Sequence, residues 1–212
     1  IMSGHVEFAQ KTKNPKHMQE ALNIFLDTSN KASTIIRNLL TFSRQEVSEK
    51  EFCDIIEPIE SVLLLTESQL KKCNIQVVRQ YEKAHMIKAN KAELQQVFLD
   101  MVINARDAML PKGGKLEICV KQVDENLEVS FSDTGRGIEE KNLAKLFKPF
   151  YTTKGPLGGS TIPGTGLGLY VSYAIIQRYK GRIEVESRVG RGTTFTIKLP
   201  VKEAGLGEEI IK

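Results

Sequence analysis

No stretch of this chain approaches the roughly 20 consecutive apolar residues that a helix needs to cross a bilayer, and no charged-then-apolar leader opens it. We therefore expect neither a membrane span nor membrane contact. Cysteine is scarce: Cys53, Cys73 and Cys119 are odd in number and lack metal-type spacing. They read as reduced core or surface side chains in a cytosolic setting. Tryptophan is absent and aromatics reach only 7%. The lysines behind the net charge of +4 are scattered, with no aromatic-interleaved basic stripe. Nucleic acid is thus not implied, although a mild positive bias helps attract nucleotide phosphates. What remains is an ordinary globular composition, 41% hydrophobic and 26% charged over 212 residues, enough for one full domain and a smaller element.

The stretch that carries chemistry is Asp133-Thr134-Gly135-Arg136-Gly137, directly after the alternating run Leu127 to Ser132. A carboxylate at a strand end accepts hydrogen bonds and cannot donate them, so it suits a base edge that offers an amino group, as adenine does. The two glycines let the backbone come close to a ligand. Upstream, the helical pattern from Glu93 places Asp100 and Asn104 one turn apart on the same face. Downstream come Phe147 to Lys154, then Gly164-Thr165-Gly166-Leu167-Gly168 at the start of another apolar helix. Glycines at a helix start expose backbone N–H groups that can bind phosphate.

Taken in order, the chain begins with a helical hairpin. Met18, Leu22, Phe25, Ser29, Ala32, Ile36 and Leu39 alternate spacings of four and three, a heptad seam. Met2, Val6 and Ala9 repeat the theme before it, with Asn14-Pro15 as the turn and His17 placed within that turn. One hairpin buries too little apolar surface to stand alone, so a second copy is expected to complete a four-helix bundle. Gln45 to Glu51 reads as a charged connector. Strands are expected near Phe52–Ile55, Ile75–Tyr81, His85–Lys88, Lys115–Val123, Leu127–Ser132, Arg182–Ser187 and Thr193–Leu199, and helices over Glu57–Lys72, Lys91–Met109 and Leu167–Tyr179. The fold class is α+β: the hairpin, then an α/β sandwich with helices on one face of a mixed sheet. The boundaries are 1–44 for the hairpin, 45–51 for the linker, 52–200 for the second domain and 201–212 for a tail.

The four blocks, in this order and spacing, resemble the ATP-binding domain of sensor histidine kinases, within the wider family shared with gyrase, Hsp90 and MutL. The resemblance covers about Phe52 to Pro200. Ile35 to Arg44 looks like the end of the second helix in the dimerisation domain of those kinases. In that family the first helix carries a His-Glu-x-x-Asn-Pro block, and counting back from Ile35 puts its phosphate-accepting His before Ile1. His5 lacks the following acid and Asn-Pro, and His17 lies too close to the second helix, so neither fits the acceptor.

The resemblance implies ATP and magnesium as ligands. Asn104 would be the magnesium ligand, with Asp100 beside it; histidine kinases usually have Asn at the Asp100 position, and the water-activating ATPases of the wider family have Glu. A carboxylate there can hold the metal or its water, or take a proton as general base. Asp133 would meet adenine, with Gly135 and Gly137 lining the base pocket and Thr193 and Thr194 supporting its far side. Asp107 and Lys154 would lie toward the nucleotide, Lys154 as a point charge for phosphate. Gly164, Gly166 and Gly168 would hinge a lid, with the N–H groups of Thr165 to Leu167 facing phosphate. The insertion Gly155 to Pro163 is expected to be mobile and to order over ATP. Phe150 and Tyr151 are candidates for packing that lid.

The implied function is a histidine protein kinase core: a homodimer through the hairpin that phosphorylates a histidine and passes the phosphoryl group to a response-regulator receiver domain. Two rivals stay open, an ATPase clamp of the gyrase or Hsp90 kind, which Asp100 favours, and a nucleotide-binding scaffold without phosphoryl transfer.

Overall fold

The protein is described by a computed structural model covering residues 14–19, 21–23, 25, 51–82, 86–154 and 164–201. The readings of the first hairpin helix, of Ile35 to Arg44, of most of the connector, of the 155–163 insertion and of the tail past Val201 fall outside these residues. The chain divides into two compact units, Ile1–Glu46 and Val47–Lys212.

In the first unit, residues 15–19 and 21–23 are helical. His17 therefore sits inside a helix, where a turn was expected. Pro15 carries the fixed φ suited to the first helical position, and the Asn14 side chain caps it by accepting from the Lys16 amide at 2.9 Å. Ala21 is buried, while the seam residues Met18, Leu22 and Phe25 are exposed.

The second unit is built on a five-stranded sheet of order β2-β4-β5-β7-β6. These strands are β2 (Ile75–Tyr81), β4 (Gly114–Val123), β5 (Asn126–Asp133), β6 (Arg182–Arg188) and β7 (Gly192–Pro200). Only β2 and β4 run parallel; the other pairs are antiparallel, which makes the sheet mixed. Strict alternation gives it two unlike faces. Leu116, Ile118, Val120, Leu127, Val129, Phe131, Phe195, Ile197 and Leu199 are buried on one side, and Ser130, Ser132, Thr194 and Thr196 lie between them on the other.

The helices cover the apolar face. They are α1 (Ile56–Lys72), α2 (Lys91–Met109), the single turn α3 (Glu140–Leu143) and α4 (Gly168–Arg178). Helix α2 lies across β4, β5 and β7, with α1 over β2 and α4 over β6. Its buried stripe of Leu94, Val97, Phe98, Met101, Val102 and Ala105 follows the helical period. The Phe98 ring meets Phe131 of the sheet at 5.7 Å between centroids. Asn90 starts α2 by accepting from the Glu93 amide, a cap that fixes where the helix begins and so which face turns inward. Two short strands, β1 (Glu51–Asp54) and β3 (Met86–Ala89), pair apart from the main sheet. Glu51, read as connector, is thus the first residue of β1. Among the described residues no helix is long and apolar enough to cross a membrane.

Candidate nucleotide site

The alternation that buries Leu127, Val129 and Phe131 also turns the next inward position, Asp133, toward the helices, so a carboxylate ends the core-facing row of β5. Its Oδ1 accepts from the Gly135 amide at 2.7 Å. Burial pushes its pKa above the ordinary carboxylate value, while the amides of Gly135 and Thr193 work against that shift. The loop that follows is clamped on two sides. Arg136 donates from its amide to the Ala108 carbonyl at 3.0 Å, and Gly190 donates to the Arg136 carbonyl at 2.8 Å. A side chain at Gly135 would strike the Ala108 backbone at 2.6 Å. Gly137 has φ +71 and abuts the Arg188 carbonyl, so position 137 also demands glycine. The loop carrying these two glycines wedges between the C-terminal end of α2 and the β6–β7 hairpin.

One turn back along α2 from Ala108 is Asn104, and with Asp100 and Asp107 it falls on one helix face. Lys154 reaches this face from the segment after α3. Its ammonium donates to Asn104 Oδ1 at 2.7 Å and to Asp107 Oδ2 at 2.9 Å. Asn104 Nδ2 is buried without a hydrogen-bond partner; it leans on the Asp100 carboxylate without the geometry of a bond. Asp100 accepts from Ser172 Oγ of α4 at 3.2 Å. Burial raises its pKa to about 6, against the opposing Lys154 charge and the Ser172 bond, while Asp107 adds to the rise. Gly168, the first residue of α4, stands directly against the Asp100 carboxylate. The glycine is a spacing requirement. Gly168→Ala is expected to lower stability by about 1–3 kcal/mol, because the added methyl overlaps Asp100 by more than helix propensity returns. A thermal melt beside an ATP titration checks this; an unchanged or raised melting temperature with wild-type affinity would contradict it.

The donor set suits magnesium held jointly with phosphates. Asn104 Oδ1 already faces a cation, the Lys154 ammonium, and the neighbouring oxygens belong to carboxylates. Magnesium keeps several waters and takes few protein ligands, so one amide oxygen beside the phosphates would be enough to hold it.

The two threonines of β7 part company. Thr193 is buried, pairs with Asp133 in register and shares a hydrogen bond with Ser187 at 2.9 Å. Thr194 pairs with Ser132 across the opposite face at 2.9 Å. Thr194 therefore cannot support the pocket, because a strand turns successive side chains to opposite sides. In the lid region Leu167 is buried, its amide donates to Thr165 Oγ1 at 3.3 Å, and Gly166 takes φ +68 against the Phe150 carbonyl. A side chain at Gly164 would meet Thr152 Oγ1 at 2.6 Å. Of the two lid aromatics, Tyr151 is tied to Asn142 Oδ1 at 2.8 Å, while Phe150 is 69% exposed at φ +62. Phe147 stacks on Tyr173 instead. Arg106, Ser172 and Ser187 also belong to the site, and nothing in the sequence pattern singled them out. Ser172 and Ser187 act through contacts between elements that spacing cannot show, whereas Arg106 binds its sequence neighbour Asp107.

The family model described as histidine kinase-, DNA gyrase B-, and HSP90-like ATPase matches residues 89–203, more than half of the chain. The chain is 33% identical over 205 residues to the signal transduction histidine-protein kinase AtoS of Escherichia coli, covering 95% of this chain and 32% of that protein. It is 30% identical over 215 residues to the sensor kinase CckA of Brucella abortus, covering 94% of this chain and 22% of that protein. It thus spans about a third or less of these relatives. Among solved structures, the histidine kinase ThkA in complex with the response regulator TrrA is similar at 25% identity and a TM-score of 0.77, covering 95% of this chain and 57% of that one. By the family match, by these relatives and by the mixed sheet with its Asp133 and Asn104 blocks, the chain belongs to the histidine kinase-, DNA gyrase B- and HSP90-like ATPases, with a catalytic unit of the histidine-kinase type.

Proposed function

We propose that this chain is the kinase core of a two-component sensor, acting in the cytoplasm as a homodimer through its N-terminal hairpin. It binds Mg-ATP and passes the γ-phosphoryl group to a histidine on the dimerisation helix, for relay to an aspartate of a response-regulator receiver. In the first transfer an imidazole nitrogen forms a bond to the γ-phosphorus as the bond to the ADP oxygen breaks. The observation that carries this reading is the convergence of Asn104, Asp107 and Lys154 one helical turn from the Asp133 loop. An amino-recognising carboxylate and a cation-holding amide are thereby tied to the same end of α2. The complex of ThkA with TrrA supports the relay. The hairpin would span 1–44 and the linker 45–51, leaving 52–200 as the catalytic domain and 201–212 as a tail.

Phosphoryl transfer needs positioning and charge neutralisation more than covalent help from the protein. Asp133 would orient the base. Asn104, with Asp100 beside it, would hold magnesium, which when bound neutralises phosphate charge. Lys154 would donate to the phosphates. Gly164 to Gly168 would let the lid segment close, with backbone amides of Thr165 to Leu167 facing phosphate and water excluded.

A second reading has its own support: Asp100, with a pKa near 6, is a competent general base for water at neutral pH. That favours intrinsic ATP hydrolysis. One experiment separates the two. The chain is mixed with labelled ATP, magnesium and a separate hairpin bearing the His-Glu-x-x-Asn-Pro block, and the hairpin is tested for acid-labile, base-stable phosphate. Label on that histidine is expected. No label together with steady phosphate release would replace the kinase reading by the ATPase one.

A further inference from the structure

Asp107 is an odd residue to find beside a phosphate site. A carboxylate accepts hydrogen bonds only and repels phosphate, so it is a poor direct ligand for ATP. It is also buried, at 7% exposure, where an ionised carboxylate needs partners. Both of its oxygens are already committed. Oδ1 accepts the Arg106 fork, from Nε at 2.9 Å and from Nη2 at 2.7 Å. Oδ2 accepts from Lys154 at 2.9 Å. Arg106 is fixed in turn, since its Nη1 donates to Gln69 Oε1 of α1 at 2.6 Å. A chain of charged and polar contacts therefore runs from α1 through α2 to the base of the lid and ends on the ammonium above Asn104.

We propose that Asp107 is a positioning residue for Lys154: locked by Arg106, it holds the ammonium beside Asn104 so that Lys154 meets the nucleotide phosphates already placed. This rests on the nucleotide-binding reading above. The physical case is entropic and geometric. A lysine side chain carries much rotamer freedom, and Lys154 stands immediately before the 155–163 insertion. Anchored to a rigid helix, it loses that freedom before ATP arrives, and the loss does not count against binding. Lys154 has three N–H donors and Asp107 takes one. Were Asn104 Oδ1 to hold magnesium, the Lys154 donor now spent on that oxygen would be free for phosphate, with the Asp107 contact kept. The Arg106 fork explains why a carboxylate is tolerated here: Arg106 and Lys154 both face the Asp107 carboxylate.

The test is a double-mutant cycle on the full chain, measuring dissociation constants for Mg-ATP and for adenosine in wild type, Asp107→Asn, Lys154→Met and the double variant. Asp107→Asn is expected to weaken Mg-ATP by about tenfold, Lys154→Met by at least as much, and the double variant no further than Lys154→Met. Adenosine, which offers no phosphate, should bind all four alike. A structural role would weaken adenosine too and would add to the lysine variant. Should Asp107→Asn fold poorly, Arg106→Gln, on a half-buried side chain, is expected to give a smaller loss in the same direction. Wild-type Mg-ATP affinity in Asp107→Asn, tighter binding there, or additive losses would overturn the proposal. Failure of the wild type to bind ATP at all would instead overturn the nucleotide reading beneath it.

Discussion

Asp133→Asn is expected to weaken ATP binding by about 100-fold, near the upper end for loss of a hydrogen bond to a charged group, and at the same time to stabilise the fold. The two signs come from one cause. Asp133 ends the buried row of β5, and burial raises its pKa. A carboxyl whose folded pKa lies above its unfolded value contributes stability only at low pH and loses it as pH rises through the folded pKa. At neutral pH the ionised group is therefore a cost, which the neutral amide removes. The Asn carbonyl can still accept from Gly135, so the loop keeps its shape. What it lacks is the charge that binds an amino group and repels a carbonyl. Selection for ATP over GTP should shrink in parallel, because guanine presents an oxygen where adenine has its amine. Paired nucleotide titrations and melts at pH 7.5 check this. Equal losses of affinity and stability would mean that Asp133 is only a structural carboxylate.

The fold was legible in the sequence wherever one periodicity dominated. Leu127 to Ser132 alternates without a break, and Lys91 to Met109 keeps one apolar face with a cap before it; both elements appear within about a residue of expectation. Pairing was not legible. That β1 and β3 form their own ribbon depends on tertiary register, and that β2 runs parallel to β4 depends on the path of the chain. His17 was misplaced because Pro15 can end one element or begin the next, and only the Asn14 cap decides. At the site, residues one helical turn apart were grouped correctly because helix geometry alone brings Asp100 and Asn104 together. Thr193 and Thr194 were wrongly grouped because adjacency in sequence was taken for adjacency in space, and within a strand it means the reverse. The Lys154 partner of Asp107 and the Ser172 partner of Asp100 were out of reach. Lys154 comes from beyond α3 and Ser172 from α4, at separations where no local rule applies.

The second large effect is expected at Asp100. In metal-free buffer, Asp100→Asn should raise stability at pH 8 by about 3 kcal/mol at most, since two units of pKa elevation carry that much differential free energy. The gain should fade as pH drops through about 6 and vanish below about 4, the ordinary carboxylate value. The direction follows from burial. Above pH 6 the wild type holds a partly buried, desolvated anion that Lys154 and Ser172 compensate in part, whereas an amide needs no such compensation. Below pH 4 the carboxyl is protonated in both the folded and the unfolded chain, and the distinction disappears. Lys154 keeps Asp107 in the variant, so it is not left unpaired. The same substitution removes the only function an amide cannot copy, taking a proton from water. Background ATP hydrolysis should therefore fall by roughly 100-fold or more, the typical contribution of a positioned general base, while ATP binding through Asp133 persists. The two measurements are independent. A stability gain with unchanged hydrolysis would make Asp100 a strained companion of Asn104 and leave phosphoryl transfer as the site's only chemistry. A fall in hydrolysis with intact transfer to the supplied histidine would mean that one carboxylate, where the family resemblance implies an amide, lets the same site direct the γ-phosphoryl group to water as well.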